Sequence, residues 1–194
     1  MKPYYESDGI VIWNADCREI LPTLEPVDLV LTDPPYPDYH VELYGYEDGI
    51  INFLKDIPCR QLVFWSAKVD FPLDYTAIHI WDKKTGCGSE YERIFERNGG
   101  IQFKMYRYYL INSTVAASFT GDRFTGHHSQ KPAKLLRDLI SKDKATTIFD
   151  PFMGSGSTLL AAKDLGRKCI GVEINEKWCE IAVKRLAQEV FDFG

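Results

Sequence analysis

Thr146-Thr147-Ile148-Phe149-Asp150-Pro151-Phe152-Met153-Gly154-Ser155-Gly156-Ser157-Thr158 carries a β-branched, aromatic run into a glycine-rich bend. The leucine- and alanine-bearing pattern that follows to residue 165 is helical and is closed by Gly166. Residues 168–173 then read as a strand and 176–189 as a further helix, so the segment opens a run of alternating strands and helices. Glycines in such a bend let the backbone turn sharply and come close to a ligand, and free amides at a helix start attract a carboxylate or phosphate. The third glycine of the dinucleotide fingerprint is absent, Leu159 standing in its place, which disfavours NAD or FAD. Glu173, 17 residues after Gly156, ends the next strand where it can accept hydrogen bonds from a ribose diol. Together these features predict a nucleoside cofactor.

Upstream of this unit the alternation continues. Residues 9–14 read as a strand, 18–24 as a short helix, and Val27-Asp28-Leu29-Val30-Leu31-Thr32 as a nearly all-apolar strand of the kind buried on both faces. That strand stops at Asp33-Pro34-Pro35-Tyr36, because paired prolines cannot continue a central ladder. Residues 49–57 read as a helix, and 61–65 and 77–81 as buried strands; 92–96 and 101–111 read as strands that alternate. In the last of these, Ile101, Phe103 and Met105 share one face and Gln102, Lys104 and Tyr106 the other, with Lys104, Tyr106 and Tyr108 expected on exposed surface. Residues 112–129 are polar and unpatterned, and Pro132 opens a helical pattern through Leu135, Leu136, Leu139 and Ile140. The prediction is an α/β fold around a mostly parallel sheet.

A chain of 194 residues suits one domain, and a 45% hydrophobic content is enough to fill its core. No apolar run approaches the roughly 18 residues of a membrane span, and the first eight residues lack the uninterrupted apolar stretch of a secretory signal. An intracellular, cytoplasmic protein without membrane association is expected. Cys17, Cys59, Cys87, Cys169 and Cys179 are scattered and form no C-x-x-C pair, so neither a metal site nor a disulfide framework is expected. The net charge of -5 argues against indiscriminate nucleic-acid binding, yet residues 83–137 hold ten basic residues against four acids. Such a basic middle on an acidic body can grip a polyanion locally; ordinary solvated charge is the alternative.

The Asp33 carboxylate and the Pro34 carbonyl, held by a stiff diproline turn, are two acceptors able to orient an exocyclic amine with its lone pair forward, and Tyr36 offers a face to a planar base. A proline-made strand end with a solvated Asp is the alternative. In open α/β sheets ligands gather beyond the carboxyl ends of strands at the switch point, so the diproline corner and the glycine bend are expected to face one crevice.

Asp33-Pro34-Pro35-Tyr36, His128-Ser129-Gln130-Lys131-Pro132, the glycine bend and Gly171-Val172-Glu173-Ile174-Asn175, in that order, resemble the amino-methylating DNA methyltransferases that use S-adenosylmethionine. With the catalytic motif before the cofactor loop, the order resembles their beta class. The resemblance implies a Rossmann-like methyltransferase fold with circularly permuted motifs and helices on both faces of a twisted sheet. It implies one catalytic domain over residues 1–194, with a short target-recognition insertion at about 86–126.

On the same resemblance Asp150, Pro151, Phe152, Gly154, Ser155, Gly156 and Thr158 bind the cofactor, with the 152–156 bend at its methionine part. Glu173 takes the ribose hydroxyls, Asp16 the adenine amine, and Lys131 the methionine carboxylate; a helix cap and a surface charge are the other readings of Asp16 and Lys131. Asp33, Pro34, Pro35 and Tyr36 present the flipped base. In that family Asp at the first motif position accompanies adenine N6 and Ser cytosine N4, so Asp33 implies an adenine-N6 DNA methyltransferase. Cytosine N4 and RNA adenine are the near alternatives, and an inactive cofactor-binding scaffold the distant one. The chemistry needs no covalent nucleophile, and Pro58-Cys59, which precedes a strand, is only superficially similar to the cysteine motif of carbon-5 methylation. DNA is the expected partner. The shortness of the recognition stretch implies low specificity, a homodimer or a separate specificity partner, with Arg123, His127 and His128 as further candidates for phosphate contact.

Overall fold

The computed structural model describes residues 1–38, 47–84, 91–100, 103–110, 122, 124–127, 130–142 and 144–187. Its centre is β3 (Leu29–Thr32), whose four residues are all buried, as an apolar run bounded by Asp28 and Asp33 requires. Parallel neighbours flank it: β4 (Arg60–Trp65), with Leu29 opposite Arg60, and β8 (Thr147–Asp150), with Leu29 opposite Ile148. The Asp28 carboxylate locks the second register by accepting from both backbone amides and the hydroxyl at Thr146 and Thr147, at 2.7–2.9 Å. Beyond β8 lie β9 (Lys168–Glu173), β2 (Ile10–Asn14) and the antiparallel edge strand β1 (Tyr5–Ser7). On the other side, β6 (Tyr91–Arg97) runs antiparallel between β4 and β5 (Ala77–Asp82), and β7 (Met105–Arg107) closes the edge parallel to β5. The sheet order among the described residues is β1-β2-β9-β8-β3-β4-β6-β5-β7, a mostly parallel α/β sheet.

Helices cover both faces. On one face lie α2 (Ala133–Ser141), α3 (Ser157–Asp164) and α4 (Glu176–Leu186), where Leu135, Leu139, Leu159 and Ala182 join Leu31, Phe64 and Ile148 in one core. The other face is thinner, with α1 (Cys17–Ile20) and two 3-10 turns, Leu21–Thr23 and Asn52–Asp56, closing over Val30, Val63 and Phe149. Each fully buried leucine or isoleucine contributes about 1.5–3 kcal/mol of transfer free energy.

The fold differs from the sequence reading in four places. In place of a helix over residues 49–57 there is the 3-10 turn Asn52–Asp56, its amides bonding three residues back (Leu54 to Ile51, Ile57 to Leu54) before Pro58 ends it. Residues 18–24 divide into α1 and a 3-10 turn at Pro22. The strand faces at residues 103–108 are reversed: Phe103 and Met105 are 61% and 50% exposed, whereas Tyr106 is buried. The cause is α2, whose Asp138 accepts the Tyr108 hydroxyl and whose C-terminal neighbour Lys142 lies over the Tyr106 ring, so amphipathic tyrosines turn inward. Lastly, β6 and β7 fall inside the 86–126 stretch expected as an insertion, yet both pair within the main sheet. Much of the remaining stretch, with Arg123 and His128, lies outside the described residues.

Candidate active site

From β8 the chain leaves through α3 to β9 on one side, and from β3 it leaves to β4 on the other, so the switch point lies between the carboxyl ends of β3 and β8. Both motifs sit there. Thr32, the last residue of β3, donates its hydroxyl to Asp150 Oδ1 at 2.8 Å, tying one strand end to the other. A cavity of about 300 Å³ opens beyond them. It is lined by Asp33, Pro34, Pro35 and Tyr36 from the diproline corner, by Asp150, Pro151, Phe152, Gly154, Ser155 and Thr158 from the glycine bend, and by Asp16, Lys131 and Glu173. The two corners, remote in sequence, meet across one cleft.

The bend is shaped by backbone conformations that favour glycine. Gly154 and Gly156 have φ of +50° and +78°, and a Cβ at Gly154 would stand 2.9 Å from the His127 ring, one at Gly156 2.8 Å from Ala182. Gly156 therefore shapes the bend from beneath, against α4. His127 packs against Trp178 with ring centroids 4.4 Å apart, and the pair lines the cavity beside Gly154. Arg185, buried on α4, donates from Nη1 to the carbonyl and hydroxyl of Ser155 and to the Ser157 hydroxyl, at 2.6–3.2 Å. Its burial presses the guanidinium down to about 10.

Four carboxylates have distinct settings. Burial lifts Asp150 to about 6 despite hydrogen bonds from Thr158, Thr32 and the Phe152 amide. Glu173 is raised by burial against the Asn175 and Gly154 amides, which donate to its two oxygens at 2.8 and 3.1 Å. Asp16 caps α1 through the Arg18 amide at 2.8 Å and pairs with the Arg18 guanidinium at 2.6 Å, which holds its carboxyl below the usual range. The cap reading of Asp16 thus describes its local structure, while its position keeps it on the cavity wall. Asp33 is lifted to about 6, burial outweighing the ammonium of Lys131, with Glu92 and Asp150 adding to the rise. Its Oδ2 is paired with Lys131; its Oδ1 is buried and has no hydrogen-bond partner among the described residues.

Lys131 lines the cavity and does not follow the surface-charge reading. Its ammonium lies on Asp33 and 3.3 Å from Glu92, 5.1 Å above the Phe64 ring, instead of standing free as a surface charge. Sequence reasoning missed Glu92, Thr32, Trp178 and Arg185. Only Glu92 left a signal, an acid inside a strand that the sheet encloses. The basic segment is also largely consumed within the fold: Arg93 binds the Ser66 and Val69 carbonyls, Arg97 Gln61 and Asp74, Lys83 Glu92, and Arg137 Asp164.

The cavity suits S-adenosylmethionine. Glu173 and Asp16 are acceptors at its rim, the bend brings bare backbone to its floor, and a lining with more carboxylates than cations complements a sulfonium. Comparison with known proteins agrees. A profile of the N6/N4 type, described as DNA methylase, matches residues 77–184. The Type II methyltransferase M2.LlaDCHI of Lactococcus lactis subsp. cremoris is 37% identical over 95% of this chain and 92% of its own length. M.ScaI of Streptomyces caespitosus is 40% identical over 97% and 84%. Among solved structures, the M1.HpyAVI complex with S-adenosylmethionine superimposes with a TM-score of 0.62 at 22% identity, covering 91% of this chain and 99% of that one. The cytosine-N4-specific PvuII DNA methyltransferase reaches 0.69 at 16% identity, covering 98% and 91%. With a match over more than half its length and two near full-length relatives, the chain belongs to the N6/N4 family of S-adenosylmethionine-dependent DNA methyltransferases.

Proposed function

We propose that this methyltransferase modifies the N6 amine of adenine in DNA, with Asp33 and Pro34 as the groups that touch the reacting nitrogen. The observation that carries the reading is Asp33 Oδ1, a buried carboxylate oxygen without a partner on the wall shared by both motifs. An unmet acceptor of this kind costs about 1–3 kcal/mol or more in the free protein, and an amine N–H relieves it. Adenine N6 is a poor nucleophile because its lone pair is delocalised into the ring. Two acceptors, Asp33 Oδ1 and the Pro34 carbonyl, draw its two N–H bonds to one side and leave the lone pair facing the cavity. S-adenosylmethionine, when bound, supplies an electrophilic methyl group on a sulfonium. As the nitrogen becomes cationic, the ionised Asp33 stabilises it and accepts its surplus proton. Tyr36, tilted against Trp65 at 5.5 Å, offers the base a rigid aromatic wall.

Glu173 and Asp16 hold the nucleoside part of the cofactor in this reading, and Asp150 with the 151–156 bend and Thr158 holds the methionine part. The pairing of Lys131 with Asp33 supports a role for that lysine at the catalytic carboxylate. The aligned span of M2.LlaDCHI, 253 positions, exceeds the 194 residues of this chain, so that relative carries inserted segments. This supports a reading in which a second copy of the chain or a specificity partner supplies DNA contacts to a single catalytic domain.

The test is incubation with labelled S-adenosylmethionine and duplex DNA, single-stranded DNA or RNA, followed by identification of the modified nucleoside. N6-methyladenine on DNA is the expected product; N4-methylcytosine, or methyladenine on RNA alone, overturns the adenine-DNA assignment. Asp33→Ala is expected to lower transfer by about 10²–10³-fold while the cofactor Kd stays within about threefold. Retained transfer rejects the role of Asp33.

A further inference from the structure

Glu92 is a buried acid on β6, 8% exposed, that no motif of the sequence includes. It stands third in a row of charges. Lys131 touches Asp33 Oδ2 on one side and lies 3.3 Å from Glu92 Oε2 on the other, and Lys83, just beyond the end of β5, binds Glu92 Oε1 at 2.8 Å. Two carboxylates and two ammoniums thus alternate in space that Phe64 and Trp81 keep apolar, their rings 5.1 and 5.9 Å from the Lys131 nitrogen. A lysine facing Asp33 alone is free to swing across both carboxylate oxygens. With Glu92 behind it, the ammonium is hydrogen-bonded to Asp33 on one side and drawn by the charge of Glu92 on the other, and Asp33 Oδ1 stays buried and unpaired in a residue of the cavity wall.

We propose that Glu92 is a positioning residue for methyl transfer: acting through Lys131, it keeps the ammonium on Asp33 Oδ2 and shares its charge, so that Oδ1 remains a free, basic acceptor for the target amine. This rests on the reading of Asp33 given above. The charged groups facing Asp33 are Lys131 from the segment before α2, Glu92 from β6 and Asp150 from β8; Lys83 faces Glu92. Burial works to raise Glu92, but Lys131 and Lys83 outweigh it and hold the acid below its ordinary range, so it is ionised at neutral pH. Its negative charge is one of the influences that lift Asp33.

Glu92→Gln keeps the shape and removes the charge. In that variant the Asp33 carboxyl, followed by carbon-13 NMR and assigned by its loss in Asp33→Asn, is expected to titrate lower than in the wild type by about half a pH unit or more. The single-turnover rate at neutral pH is expected to fall about two- to threefold as an acceptor weaker by that much predicts, with its acid limb moved to lower pH and the cofactor Kd within twofold. Lys83→Met, which strips only the outer partner of Glu92, is expected to move the Asp33 midpoint the opposite way and keeps the test open if Glu92→Gln does not fold. A folded Glu92→Gln with unmoved midpoint and rate, or with lost stability alone, overturns the inference. Wild-type protein that binds cofactor and methylates no nucleic acid overturns the function itself, and the positioning role of Glu92 with it. Transfer by the wild type alongside an Asp33 titration indifferent to Glu92 and Lys83 overturns this inference only.

Discussion

Asp150 is a cavity-lining carboxylate kept at the expense of the fold. Its carboxyl is lifted from 3.8 to about 6 by burial, so the folded chain holds its proton longer than the unfolded one. Below about pH 3 both states are protonated and nothing is lost; between about 3 and 6 the cost grows, and above 6 it is nearly complete, on the order of 2–3 kcal/mol. Asp150→Asn keeps an acceptor for Thr32 and removes the charge. Its melting temperature is expected to exceed the wild-type value by about 4–8 °C at pH 8 and to match it at about pH 3, while the cofactor Kd rises at least about tenfold. A lower melting temperature at pH 8 contradicts this account of Asp150. Residues such as Asp33 and Asp150 were legible in the sequence because proline and glycine punctuate them. The partner of Lys131 was not, since nothing in a one-dimensional pattern says that a lysine before one helix meets an acid on a strand 39 positions earlier.

At the level of elements, the strand-bend-helix unit was readable because each part has its own local signature: β-branched residues, left-handed glycines, then leucine and alanine. The support beneath it was not readable. Arg185 looks like a surface charge near the end of a helix, yet it is buried against Ser155 and Ser157. Arg185→Leu removes three donated bonds from the bend and leaves Ser155 and Ser157 short of a donor. The expected result is a loss of about 2–4 kcal/mol in urea unfolding and a cofactor Kd raised by at least tenfold, with far-UV circular dichroism retained. Unchanged cofactor affinity in the folded variant would falsify the supporting role of Arg185. The reversed faces around β7 have the same origin, because an alternating pattern fixes which residues share a face, and the packing of α2 decides which face is inside.

For the whole molecule, the alternation of strands and helices predicted the sheet, and the switch point then brought together two motifs separated by more than a hundred residues. The charge pattern misled at this scale. A run of basic residues can be read as a polyanion grip or as ordinary charge, but Arg93, Arg97, Lys83, Lys131 and Arg137 are paired with groups of the fold itself. No more than about five phosphate contacts are then expected from that segment, so it contributes at most about -4.5 to the slope of log DNA affinity against log salt. In a filter-binding titration, neutralising all ten of its basic residues should flatten the slope by no more than that, and a change near about 8 contradicts the count.

The central claim is that the diproline corner and the glycine bend serve one reaction across one cavity. A crystal structure of the protein with sinefungin, an amine analogue of the cofactor, and DNA carrying an extruded adenine tests it most directly. The account predicts the analogue seated between Glu173 and the 151–156 bend, with adenine N6 hydrogen-bonded to Asp33 Oδ1 and the Pro34 carbonyl and facing the analogue's transferable position. An analogue bound elsewhere, or an adenine whose N6 touches neither acceptor, contradicts it.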